Sequence, residues 1–175
     1  MQVLIVVDMQ NDFIEGALGS PEAKAIVEKV TEKIRNFPGK VLYTQDTHGQ
    51  DYSKTQEGSN LPIAHCLRGS WGWQLHPDIE ALCREIPVEK NTFGSVRLGQ
   101  LLTEWNEEEP IRSVELIGLC TDICVISNAL LIKAFLPEAE IRVDASCCAG
   151  VTPESHQIAL DAMRSCQIRV SQSGN

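Results

Sequence analysis

A cysteine, a lysine and a carboxylate together can make a sulfur nucleophile, and this sequence offers such a set in Cys124, Lys90 and Asp8. A thiolate attacks where a thiol does not, and a helix N-terminus or a neighbouring ammonium group stabilises it. A carboxylate can take the thiol proton. Cys124 lies just beyond the aliphatic run Val114–Ile117, at the start of a helix, so its thiol pKa is expected to be lowered. Each residue alone has a plainer use. Asp8 could cap the turn that holds Asn11 and Asp12, Lys90 could be an exposed lysine at a strand end, and a cysteine can pack as a small apolar side chain. Cys66, Cys83, Cys147, Cys148 and Cys166 keep that packing reading.

A second constellation begins at Asp46-Thr47-His48 and continues with Glu57 and His65. In extended chain, residues i and i+2 point to one side, so Asp46 and His48 can grip one ion. His65, 17 residues further on, can close the site from the far end of the loop. Mixed imidazole and carboxylate donors suit zinc, manganese or iron better than calcium or magnesium.

These residues need a scaffold, and the chain reads as alternating strands and helices. Val3–Val7 is an unbroken β-branched and aliphatic run, the pattern of a strand buried on both faces. Ser20-Pro21-Glu22 starts a helix whose Ile26, Val27, Val30 and Ile34 share a face, ending before Pro38-Gly39. Further strands are expected at Val41–Thr44, Ile86–Glu89, Val114–Ile117, Ile141–Val143 and Ile168–Val170. Helices are expected at Ile79–Arg84, Ser95–Trp105, Asp122–Phe135 and Pro153–Arg164. The stretch from Gln45 to about Pro77 shows little periodicity, and long loops of this kind usually serve function. Six strands separated by helices imply one parallel sheet with helices on both faces, and a single domain over residues 1–175. In such sheets ligands sit at the carboxyl ends of the strands, where Asp8, Asp46, His48, Lys90 and Cys124 all fall.

Composition limits the partners. The chain has 175 residues and a net charge of −9, so neither nucleic acid nor an anionic membrane surface is expected as partner. No apolar run approaches the roughly 18 residues that span a bilayer. The N-terminus enters a strand-like run with no basic region before it, so no signal peptide is expected. Seven cysteines is an odd number, and a reducing cytoplasm is expected rather than a disulfide framework.

The segments Val6-Val7-Asp8-Met9-Gln10-Asn11-Asp12-Phe13, Asp46-Thr47-His48, His65-Cys66 with Gly69, Lys90, and Gly118–Val125 resemble the isochorismatase-like cysteine hydrolases. The resemblance runs from Val3 to about Ile168, and the nearest branch is the nicotinamidases. It implies a three-layer α/β/α, Rossmann-type fold with a six-stranded parallel sheet. It also implies a catalytic triad of Asp8, Lys90 and Cys124, and metal ligands Asp46, His48 and His65, with Glu57 as a fourth ligand found in some members. The Leu119–Cys120 bond falls where the family has a cis peptide that turns the N–H of Cys120, with that of Cys124, toward one oxyanion. Phe13 matches a substrate-stacking aromatic, and Leu119 is expected beside the substrate. Where many nicotinamidases place an aromatic, this chain has Leu61-Pro62-Ile63-Ala64, so a second wall is left to Trp71, Trp73 or Phe93. Members that hydrolyse isochorismate lack the Asp/His/His set as a group.

The resulting expectation is a cytoplasmic amidohydrolase for a small aromatic amide, nicotinamide above others, serving NAD salvage. It would carry one divalent transition metal, with zinc placed before manganese or iron, and form a homo-oligomer. The ion would either anchor a ring nitrogen or activate water for thioester hydrolysis. Three other readings stay open. They are another amidase or ureide hydrolase of the family, a metal-water hydrolase in which Cys124 only packs, and a non-catalytic scaffold on the same fold.

Overall fold

The computed structural model describes residues 1–171. In chain order it contains β1 (Gln2–Val7), α1 (Asn11–Ile14), α2 (Pro21–Asn36), β2 (Lys40–Asp46), α3 (Gln56–Asn60), α4 (Pro77–Glu80), β3 (Val88–Lys90), α5 (Val96–Glu108), β4 (Ser113–Leu119), α6 (Ile126–Phe135), β5 (Glu140–Ala149), α7 (Pro153–Ser165) and β6 (Arg169–Ser171). A 3₁₀ turn at Tyr52–Lys54 and a π turn at Thr121–Val125 complete it.

All strand pairs are parallel, in the order β3-β2-β1-β4-β5-β6. The β1 run explains why it is central. Val3, Ile5 and Val7 pack with Leu98, Leu102, Ala129, Ile132, Leu160 and Met163 of α5, α6 and α7 on one face. Leu4 and Val6 pack with Ile26, Val30 and Ile79 of α2 and α4 on the other. Every residue from Val3 to Val7 is buried, and full burial of such side chains stabilises by roughly 1.5–3 kcal/mol each. The strand order reverses direction between β1 and β4. A crevice therefore opens beyond their carboxyl ends, and Asp8 and the Cys120–Cys124 turn emerge there.

Local chemistry sets the helix ends. The Ser20 hydroxyl accepts from the Ala23 N–H, Pro21 occupies the first helical position, and Lys33 and Arg35 sit in the last turn of α2. Thr152 and Ser155 form a reciprocal capping box at the start of α7. Gly118 has φ of 113°, and a Cβ there would collide with the Val7 carbonyl oxygen, so β4 can approach the end of β1 only with glycine.

Several elements differ from the sequence expectation, among them β6, at Arg169–Ser171 rather than Ile168–Val170. β5 runs for 10 residues rather than the three of Ile141–Val143. Its polar Asp144 and Ser146 obscure the pattern, and Asp144 is paired with Lys33 of α2. The expected helix Asp122–Phe135 is instead the π turn followed by α6. The helix near Ile79–Arg84 is shorter and earlier, at Pro77–Glu80. The third strand is Val88–Lys90 rather than Ile86–Glu89, with Ile86 fully out in solvent.

Candidate active site

Lys90, the last residue of β3, organises the crevice. Its Nζ lies 2.7 Å from Asp8 Oδ2, 3.4 Å from Cys124 Sγ and 3.3 Å from Asp46 Oδ1. All four side chains are buried. Asp8 directly follows β1 in the left-handed region, at φ 47°, a conformation aspartate tolerates better than most residues. Its Oδ1 accepts from the Thr44 hydroxyl at 2.6 Å, while its N–H donates back to Thr44 Oγ1 at 3.2 Å. The sequence-expected trio of Asp8, Lys90 and Cys124 is thus brought together.

The electrostatics depart from the sequence expectation at Cys124. Burial raises its thiol pKa well above the ordinary 9.0. Asp8 and Asp46 raise it further, and the nearby Lys90 does not reverse this. The expected lowering rested on lysine and helix terminus alone, and omitted the two carboxylates and complete desolvation. Burial likewise raises Asp8, with Asp46 adding to the effect and Lys90 opposing it. Burial opposes the Lys90 charge, but Asp8, Cys124 and Asp46 hold the lysine protonated. Burial and the two carboxylates therefore favour the Cys124 thiol over the thiolate, beside the Lys90 ammonium.

The second constellation also converges. One donor atom from each of Asp46, His48, Glu57 and His65 lies within 4.8 Å of the others. His48 Nε2 is 3.0 Å from Asp46 Oδ2 and 3.6 Å from Glu57 Oε1. His65 Nε2 is 3.7 Å from Asp46 Oδ2 and 3.6 Å from Glu57 Oε1. His65 Nδ1 lies 2.8 Å from the Ile63 carbonyl, which can only accept, so Nδ1 carries a hydrogen and Nε2 faces the cluster, as a donor to Asp46 when the ring is protonated and as a lone pair when it is neutral. Two nitrogens and two carboxylates converging in this way fit a divalent transition metal. Burial works against the Asp46 carboxylate, yet hydrogen bonds from His48 and His65 and the charge of Lys90 hold its pKa well below the usual range.

Cys124 of the first set and all four donors of the second line one cavity of about 1060 Å³, with Asp8 and Lys90 buried against Cys124. Phe13, Leu119, Cys120 and Phe93 lie on its wall. Of the three aromatics considered for the second wall, Phe93 takes that place. Trp71 and Trp73 do not line the cavity, and the Trp73 indole donates instead to Thr47 Oγ1 at 2.9 Å. The Leu119–Cys120 bond is cis.

An isochorismatase-domain family model matches residues 2–174. The chain belongs to the isochorismatase family. The nicotinamidase/pyrazinamidase of Mycobacterium tuberculosis is 28% identical to it over 186 residues, covering 97% of this chain and 98% of that protein. The solved pyrazinamidase of Pyrococcus horikoshii in complex with zinc is similar with a TM-score of 0.77 at 28% identity, covering 98% of each chain. The nicotinamidase/pyrazinamidase of Bacillus subtilis gives 0.79 at 26% identity, covering 97% of this chain and 98% of that one.

Sequence reasoning missed several supports of this isochorismatase-family site. Thr44 holds Asp8, as above. Buried Asn128 donates to the Cys124 carbonyl at 2.8 Å and to the Phe93 carbonyl at 3.0 Å, and accepts from the Ser95 N–H at 2.9 Å. It ties the nucleophile's turn to the loop after β3. Tyr52 packs edge-on against His48 and His65, with ring centroids 4.8 and 5.1 Å away. Thr44 and Asn128 carry no signal beyond ordinary strand and helix positions, whereas Gln10 lies inside the Val6–Phe13 segment that carries the family resemblance.

Proposed function

We propose that this protein is a metal-containing cysteine amidohydrolase that converts nicotinamide and water to nicotinate and ammonia. The observation that carries this reading is the three-way contact of Lys90 with Asp8, Cys124 and Asp46, which joins a thiol lining the cavity to the metal-type donor set lining the same cavity. The similarity to nicotinamidases supports the choice of substrate.

In the proposed reaction Asp8 takes the Cys124 proton as sulfur attacks the carboxamide carbon, and Lys90 stabilises the emerging thiolate. The carbonyl oxygen becomes an oxyanion facing the backbone N–H groups of Cys120 and Cys124. Removing one such donor typically costs about 10²–10³ in rate. Asp8 returns the proton to the departing nitrogen, the C–N bond breaks and ammonia leaves behind a thioester. Asp8 then deprotonates water, which cleaves the thioester to the acid and the free thiol. Phe13 and Leu119 flank the ring. Asp46, His48 and His65, with Glu57 as a fourth donor, would hold a divalent ion, zinc first. When bound, that ion supplies a Lewis acid to a ring nitrogen or to water.

The same reading places the chain, as one domain, in the cytoplasm as a homo-oligomer serving NAD salvage. Seven free thiols support a reducing compartment. No helix among the described residues is long and apolar enough to cross a membrane.

The test is ammonia release from nicotinamide by wild-type protein, by chelator-treated protein and by Cys124→Ala. Turnover that survives in Cys124→Ala would leave metal-water hydrolysis standing and end the thioester reading. Absence of turnover in the wild type with zinc, manganese or iron added would end the nicotinamidase reading.

A further inference from the structure

We propose that Gln10 is the positioning residue of the metal set, and that its carboxamide sets the site's affinity for the ion by fixing the main chain of Asp46. This rests on the metal reading above.

The need for such a residue follows from the sheet. The β1–β2 register ends at Val6 and Tyr43, and the chain then turns away at Asp8. Asp46, three residues past Tyr43, has β3 on one side: the Asp46–Lys90 register continues, and Thr47 N–H donates to the Lys90 carbonyl at 2.8 Å. On the β1 side its own N–H and C=O have no strand left to pair with. The Gln10 side chain takes that place. Its Oε1 accepts from the Asp46 N–H at 2.7 Å, and its Nε2 donates to the Asp46 carbonyl at 2.9 Å. The amide thus stands in for one residue of a neighbouring strand. Gln10 is fully buried, so these groups have no water to fall back on.

The second Nε2 hydrogen goes to the Trp73 carbonyl at 2.8 Å, which also accepts from Gln45 Nε2 at 2.8 Å. Both amide hydrogens and the oxygen of Gln10 are therefore engaged. What is fixed is the residue on which both halves of the site depend. Asp46 Oδ1 faces Lys90, and Oδ2 faces His48 and His65. Partners behind a metal ligand orient it, and a carboxylate on an unpaired strand end would be free to swing away from the imidazoles.

A neighbour serves as control. Asn11 Nδ2 donates to the Trp71 carbonyl at 2.8 Å, securing the same loop without touching Asp46. The experiment measures Zn²⁺ and Mn²⁺ dissociation constants for purified full-length protein by competition with a chromophoric chelator. Gln10→Met is expected to bind each ion about 10–100-fold more weakly than wild type, while Asn11→Ala stays within about threefold. The Co²⁺ visible absorption bands should shift in the Gln10 variant and not in Asn11→Ala. Should Gln10→Met fail to fold, Gln10→Glu and Gln10→Asn, which keep part of the amide's bonding, carry the same comparison. A folded Gln10 variant with wild-type affinity overturns the proposal. So does an equal loss in Asn11→Ala, because loop anchoring rather than the hold on Asp46 would then be the cause. A wild-type protein that takes up none of these ions overturns the metal reading itself, a result distinct from either.

Discussion

The Lys90 ammonium lies 3.3 Å from Asp46 Oδ1, so the lysine that touches the nucleophile also touches a carboxylate of the metal-type cluster. The two constellations are one electrostatic unit. Asp8 and Asp46 are buried carboxylates that share a single buried cation. That sharing opposes their mutual repulsion; burial nevertheless pushes Asp8 toward its neutral form, whereas hydrogen bonds from His48 and His65 help keep Asp46 ionised.

Lys90→Met removes that cation and leaves both carboxylates without it. Truncating one partner of a buried ion pair costs about 3–5 kcal/mol, and this loss should appear in urea unfolding of the variant. Turnover should vanish with it. A loss below about 1 kcal/mol, the range of an exposed pair, would show that Lys90 is not the shared counter-ion.

The raised pKa values set a pH profile. Asp8 must be ionised to accept the thiol proton, and its folded pKa lies above the ordinary 3.8, so kcat/KM should rise with pH through a limb above that value. The alkaline limb should lie above 9.0, because Cys124 is raised and Lys90 is held protonated. The stability sign is consistent. A carboxyl raised on folding favours the native state below its unfolded pKa and loses that contribution as pH rises through the folded one. Profiles taken with excess metal ion decide it, and an acid limb at or below 3.8 contradicts the assignment of Asp8 as base.

Asn128→Ala should loosen the nucleophile's turn. The Ser95 N–H and the Cys124 and Phe93 carbonyls lose their partner together. Each buried polar group left unsatisfied costs about 1–3 kcal/mol, so a total near 3 kcal/mol is expected, together with a fall in kcat. A variant as stable and as active as wild type would show that water replaces the side chain.

Much of this was legible before the structure. The Val3–Val7 run declared a two-faced strand because β-branched residues without polar alternation fit only a covered parallel sheet. Asp46 and His48 do face one point, as the two-residue repeat of extended chain requires. What stayed hidden depends on tertiary contact. β5 reads as three residues in sequence because Asp144 is polar, and its contacts with Lys33 and Ser146 make that tolerable inside a sheet. The direction of the Cys124 shift was misjudged because Asp8 and Asp46, distant in sequence, approach the thiol only in the fold. Gln10 lay in plain view, but its role depends on where β1 stops relative to β2.

The substrate reading makes the last prediction. Phe13 and Leu119 line the cavity that holds Cys124 and the Asp46, His48 and His65 cluster, so a flat ring can lie against an apolar wall between the thiol and the cluster. A ring nitrogen directed at the ion while the carboxamide reaches sulfur would hold the substrate at two points, and such orientation is a large source of rate. Benzamide keeps the ring and the amide but has no nitrogen to offer, and a simple aliphatic amide also loses the stacking face. Nicotinamide should therefore exceed benzamide, and benzamide should exceed the aliphatic amide, in kcat/KM. Chelation should narrow the gap between nicotinamide and benzamide, because it removes the group that tells them apart. If benzamide turns over as fast as nicotinamide in metal-loaded protein, the ion does not read the ring, and the activity is that of an amidase with a different preferred substrate.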